Sequence, residues 1–239
     1  MSAACSDTPV TLLPREVRLV VERILLLTTV PHGLIPAVRD VVLYSAAAGL
    51  GGLPLLRRRF GDLRMAETVA PSITEPAPGH LVVDARGGHA WVVLPMILDA
   101  LGAATALEGA ATAEVTNLRD PEELRTASAY APREGLSVQV TGGAGDAAGT
   151  FILRAAPSTA GDAVLDRALR EGVVVEPALW WDLHHLSNTA LSTDTPESRR
   201  HAGPVIVEAD GRITGRTDHD DDTDLSLLTS AKPESANAH

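Results

Sequence analysis

Between residues 79 and 141 the hydrophobic period of the chain switches back and forth, and this alternation constrains the fold more than any other feature. The stretch GHLVVDARGGHAWVVLPMILDALGAATALEGAATAEVTNLRDPEELRTASAYAPREGLSVQVTG reads as strand, Gly-Gly turn, helix, strand, loop, helix, strand. Leu81–Val83 and Thr112–Thr116 have the β-branched, alternating character of strands, and roughly Trp91–Leu101 has helical spacing. Asp120, Pro121, Glu122 and Glu123 form a helix start, with Asp at the cap, Pro at the first helical position and Glu at the third. That helix is expected to run to about Ala131, followed by strands Leu136–Val140 and Thr150–Ala155 around the loop GGAGDAAG. Such a pattern buries its apolar faces by covering a sheet with helices. The expected class is mixed α/β (α+β), with N-terminal helices packed on a small mixed sheet with flanking helices.

The flanks fit this reading. Pro14 followed by EVRLVVERILLLTT is a helix with Val17, Val20, Val21, Ile24 and Leu27 on one face. A second helix spans roughly Ile35 to Ala48, and a Gly-rich link from Gly49 to Pro54 leads into a short helix at LLRRRF. Residues 66–80 read as a connection. Helices are expected at 160–171 and 178–191, and short β segments near 204–207 and 212–215. The organisation expected is a flexible N-terminus at 1–13, a helical portion at 14–65, an α/β domain at 66–216 and a disordered acidic tail at 217–239.

Bulk properties narrow the function. Apolar residues make up 45% of the 239 residues, enough for a real core. A net charge of −11 argues against nucleic acid as a partner. Cys5 is the only cysteine, so no internal disulfide forms and no thiol nucleophile is in a catalytic setting. Neither a secretory signal nor a membrane span is evident, and the expectation is a cytoplasmic protein without a membrane partner. Lys and Arg together number 20, of which Lys232 alone is lysine. Schiff-base chemistry and a P-loop both need a placed lysine, so neither is expected.

Several constellations compete for chemistry. His89 follows Gly87 and Gly88 at a strand-to-helix turn, where backbone can approach an anion; it either meets a ligand or caps the turn. Asp84, at the same strand end, either binds a ligand or satisfies loop amides. His184 and His185 point about 100° apart on a helix and are not spaced to share an ion. The run Asp218, Asp220, Asp222, Asp224 begins like a calcium loop, but Thr223 and Thr229 replace its glycine and glutamate. No metal site is expected. Gly143, Gly145 and Ala148 match G-x-G-x-x-A, but a strand pattern follows, which makes a hairpin loop. Arg199 and Arg200 beside Ser198 either hold a carboxylate or phosphate or pin a terminal segment.

The order of Val83, Asp84, Gly87, Gly88, the strand ending at Asn117, and Gly135 before the next strand resembles the malate/L-lactate (sulfolactate-type) dehydrogenases. The segment AAAGLGGLPLLRR is similar to their Gly-His-(Asp)-Ser-His-Gly-x-x-Arg-Leu motif, and EGVVVEPALWWDL to their Pro-Glu, Trp-Ala-Asp segment. The ending TPESRRHAG, then TDHDDD, resembles a group of uncharacterised bacterial proteins, and the chain reads as a shrunken, divergent relative of the dehydrogenases. The resemblance implies a nicotinamide cofactor, NAD or NADP, and a homodimer.

The departures fall on the reactive positions. With Gly52 aligned to the motif's glycine, Leu50 stands for its serine, Gly51 for its histidine and Leu55 for its arginine, and Asn117 is followed by Leu118, Arg119 and Asp120 in place of a histidine motif. Hydride transfer needs a base on the hydroxyl and a cation on the carboxylate. His89 could supply the first, and Arg57, Arg58, Arg59 or Arg119 the second. Two function classes remain. One is a divergent protein binding a small anionic metabolite, with His89 and Arg119 as the catalytic candidates and Asp84, Gly87, Gly88, Asn117 and Arg199 as ligand-binding ones. The other is a non-catalytic accessory or scaffold subunit working with a partner subunit.

Overall fold

The computed structural model describes residues 8–66, 69–142 and 149–191, together with the backbone of 205–207 and 213–215. In chain order the elements are β1 (Val10–Leu12), α1 (Pro14–Leu26), α2 (Ile35–Ala47), α3 (Gly52–Met65), β2 (Ser72–Ala77), β3 (His80–Asp84), α4 (Ala90–Glu108), β4 (Ala111–Thr116), α5 (Ala127–Tyr130), β5 (Leu136–Gly142), β6 (Phe151–Pro157), α6 (Ala163–Glu171), β7 (Val173–Val175), α7 (Pro177–Asn188), β8 (Val205–Val207) and β9 (Ile213–Gly215). The chain is a mixed α/β protein. It forms two units, Met1–Leu191 and Ser192–His239; in the second, β8 and β9 pair antiparallel.

The five-stranded sheet of the first unit has the order β2-β3-β4-β6-β5. β3 and β4 are parallel and joined through α4, whereas the other neighbours are antiparallel. Burial alternates residue by residue along β4, as period-2 side chains with one covered face require. α4 lies in the core: Trp91, Leu94, Ile97 and Leu101 are buried with Val83, Ala113, Val115 and Leu153 of the sheet. The same cluster holds Val17, Val21 and Ile24 of α1 and Val38 and Val41 of α2. The helical portion and the sheet thus share one core.

Four local expectations change. Val10–Leu12, in the stretch expected to be flexible, pairs with Val173–Val175 as an antiparallel ribbon. The expected connection at 66–80 contains β2, the outer partner of β3. The expected helix from Asp120 is a succession of short turns: a 3-10 turn at Pro121–Thr126, α5, and a second 3-10 turn at Ala131–Glu134. Finally, α4 extends to Glu108, and with 19 residues and a most apolar window of mean hydropathy 1.8 it is long and apolar enough to cross a membrane. In this fold 61% of its most apolar window is buried, which is the pattern of a core helix. β5 and β6 pair as a hairpin requires; residues 143–148 between them, the Asp218–Asp224 run, Cys5, Lys232 and Arg199 lie outside the described residues.

Candidate functional site

Parallel strands β3 and β4 end side by side, and the loops leaving them are bonded to each other. Gly87 N donates to Asn117 O at 2.7 Å, Arg119 N to Gly88 O at 2.9 Å, and Ala90 N to Arg119 O at 3.0 Å. His89 and Arg119 form a parallel bridge. Asp84 Oδ1 accepts from Arg86 N and from Asn117 Nδ2, both at 2.9 Å. The Asn117 bond, then the Arg86 amide, holds the Asp84 carboxyl below the usual carboxylate range. Among the described residues, the non-glycine positions with positive φ are Arg86, Asn117 and Asp120, at 51°, 55° and 52°. All three belong to these loops. Such backbone persists where neighbouring bonds over-determine it.

His89 caps α4. Its Nδ1 accepts from Trp91 N at 3.2 Å, so the neutral ring carries its proton on Nε2. The side chain is 2% exposed, and Nε2 lies 3.5 Å from Asp120 Oδ2 and 3.4 Å from Glu123 Oε2. Burial, followed by the Arg59 and Arg119 charges, pushes the ring down to about 4, so it is neutral near pH 7. Arg59 of α3 completes the group, pairing with Asp120 and, through Nε at 3.3 Å, with Glu123 Oε1. Burial pushes Glu123 up to about 7, opposed by its hydrogen bond from Arg59 and reinforced by the Asp120 charge.

His89 Nε2, Asp120 Oδ2 and Glu123 Oε2 are buried without a hydrogen-bond partner, and these ligand-capable atoms lie within 4.8 Å of one another. A metal fits poorly. It would need the lone pair of Nε2, where the proton sits, and it would share both carboxylates with the fixed Arg59 cation. The arrangement suits a proton held by the two carboxylates beside a neutral imidazole.

Beside this cluster lies a cavity of about 500 Å³, whose lining includes Leu50, Leu55, Arg58, Arg59, Glu123 and Arg125. Arg59 is committed to Asp120 and Glu123, and Arg125 Nε pairs with Glu122 at 2.9 Å. Among the described residues, Arg58 has no ion-pair partner. Leu50 and Leu55, which replace polar positions of the motif noted in the sequence, form apolar wall in this cavity.

The expected site is therefore brought together unevenly. His89 lies in the cluster. Arg119 is tied to it through backbone, but it does not line the cavity. Asp84 and Asn117 bind loop to loop. Gly87 and Gly88 border a separate gap of about 20 Å³, room for about one water. That gap is too small to admit a nicotinamide dinucleotide. Asp120 and Glu123 were read from the sequence only as parts of a helix start, Arg125 was not singled out, and Arg58 and Arg59 were only alternative clamps. On α7, His184 is half-buried and His185 exposed, and His184 Nδ1 lies 3.5 Å from Asn188 Nδ2.

No protein-family model and no curated protein sequence matches the chain. Among solved structures, a dehydrogenase from Sinorhizobium meliloti is similar over 75% of this chain and 100% of that one, with TM-score 0.54 and 14% identity. A malate dehydrogenase from Entamoeba histolytica is similar over 77% of this chain and 62% of that one, with TM-score 0.44 and 12% identity. The Methanocaldococcus jannaschii sulfolactate dehydrogenase is similar over 53% of this chain and 38% of that one, with TM-score 0.37 and 14% identity. The chain spans less than two thirds of the length of these last two. The first likeness shows a dehydrogenase-like fold.

Proposed function

We propose that this chain uses its dehydrogenase-like fold to bind a small carboxylate-bearing metabolite in the cavity between α3 and the Pro121–Thr126 turn. The observation that carries this reading is Arg58: a guanidinium lining a cavity of about 500 Å³ with no ion-pair partner among the described residues. A guanidinium holds a carboxylate through two parallel hydrogen bonds, and Leu50 and Leu55 would face the apolar part of the ligand. Hydride transfer is not part of this proposal, because the gap at the Gly87-Gly88-His89 turn is too small to admit a dinucleotide.

Isothermal titration calorimetry with L-lactate, L-malate and pyruvate tests the proposal. Arg58→Ala should weaken the best of these by about tenfold, the loss of one charge-assisted contact. NADH and NADPH belong in the same panel, and binding of either would reopen the nicotinamide question. A second reading, an accessory subunit, draws on Leu19 and Leu26 of α1. They are seven residues apart on one helix face and 51% and 48% exposed. Absence of any small-molecule binding, together with a stable oligomer in native mass spectrometry, would favour that reading.

A further inference from the structure

We infer that the cavity takes up its anion together with one proton, and that Glu123 is the residue that holds it. This rests on the reading of the cavity as a carboxylate site. Glu123 has two distinct oxygens. Oε1 meets Arg59, while Oε2 has no hydrogen-bond partner and lies 3.4 Å from His89 Nε2. The side chain is 5% exposed, yet it forms part of the cavity wall.

The groups around it fix the charge balance. Arg58 and Arg59 face it from α3, His89 from the start of α4, and Asp120 from the preceding loop; Glu122 and Arg125, on its own turn, pair with each other. His89 is neutral and contributes no charge. With both carboxylates ionised, Glu123 and Asp120 are balanced by Arg59 and the more exposed Arg58. A carboxylate ligand beside Arg58 adds a third anion.

Protonating Glu123 resolves the excess. Arg59 and Asp120 remain as a matched pair, Arg58 is left to the ligand, and the Glu123 carboxyl gains an O–H that can donate to an oxygen of the ligand or of Asp120. Glu123, pushed up to about 7 in the free protein, is only part protonated at neutral pH, and a nearby negative charge raises it further. The proton comes from solvent as the anion enters. The neighbouring His89 Nε2–H already carries its own proton, so it does not compete for this one.

The test is calorimetry on the full chain at about pH 8 in Tris and in HEPES, whose ionisation heats differ, with L-lactate, L-malate and pyruvate, all ionised throughout the range. The expected result is uptake of close to one proton per bound anion, with affinity falling about tenfold per pH unit above pH 7 until the bound-state pKa is reached. Glu123→Gln, which keeps the shape of the protonated side chain, should abolish the uptake and flatten the pH profile while binding at pH 8 at least as tightly as the parent. Binding without proton uptake overturns the inference and leaves the carboxylate reading standing, and uptake that survives Glu123→Gln overturns the assignment to this residue. If no probe binds at any pH, the carboxylate reading itself falls. The two-buffer measurement needs no variant, so a folding defect in Glu123→Gln does not remove the test.

Discussion

Asp120 and Glu123 stand in the sequence as members of Asp-Pro-Glu-Glu, a pattern that directs both carboxylates to backbone amides at a helix start. The structure sends them elsewhere. Asp120 takes φ 52° and makes no side-chain cap, and both side chains turn to Arg59 and His89. Local pattern could not reveal this, because the partners come from α3 and from the start of α4. His89 was legible as a turn residue, and the capping half of that reading is what the structure shows. Its buried position also sets opposing titrations. His89 falls from 6.5 to about 4 and Glu123 rises from 4.5 to about 7. For the depressed histidine, stability is present above its unfolded value and is lost as pH falls toward 4. For the raised glutamate, stability is present below its unfolded value and is lost as pH rises toward 7. The two effects run in opposite directions over nearly the same window, so the parent protein should show little net dependence from this pair. Glu123→Gln should leave the histidine effect exposed, with a melting temperature that climbs between about pH 4 and pH 6.5. Thermal melts across that range check it, and a flat profile in the variant would contradict the opposition.

At the scale of elements, the parallel β3–α4–β4 unit was readable because its strands and helix each contain enough residues to show a period. β1 and β7 were not. Each is three residues long, too short for alternation, and each is a strand only because the other pairs with it. β2 was masked by Pro76 and by its exposed character, both properties of a sheet edge. Close helix packing was equally invisible. A Cβ on Gly52 would collide with Val42 O and lie 2.6 Å from Ala46 N, so α3 can start only where α2 offers bare backbone to a glycine. Gly52→Ala should destabilise the fold by about 3 kcal/mol, at the upper end for overpacking, measured by urea unfolding. The same variant should also weaken carboxylate binding, since α3 presents Arg58 and Arg59. Gly88 is confined in a similar way, with an added Cβ placed 2.7 Å from Val93 Cγ2.

Across the molecule, one buried carboxylate gathers three arginines. Asp40 of α2, 4% exposed at its side chain, pairs with Arg18 of α1 and Arg39 of α2, each at 2.9 Å, and with Arg133 after α5. Burial alone would raise its pKa, but hydrogen bonds from Arg18, Arg39 and Arg133 outweigh it and hold the group below the ordinary carboxylate value. Stability from this group is therefore present above the unfolded value of about 4 and is lost as pH falls through the lower folded value. Asp40→Asn should cost about 3 kcal/mol at pH 7, since removing one partner strands the others, and should cost much less at about pH 2. Denaturant curves at both pH values decide this. Nothing in the sequence marks Asp40, because its partners are brought in by helix packing and by the turn after α5.

α4 carries one more consequence, which concerns the making of the protein. A 19-residue helix whose most apolar window has mean hydropathy 1.8 leaves the ribosome before β4 and β6, two of the strands of the sheet that covers it. Until those strands have been synthesised, the nascent chain presents a segment that hydrophobic-binding chaperones and the membrane-insertion machinery are built to recognise. The order of synthesis thus creates an exposure that the finished fold, with this helix in its core, does not show.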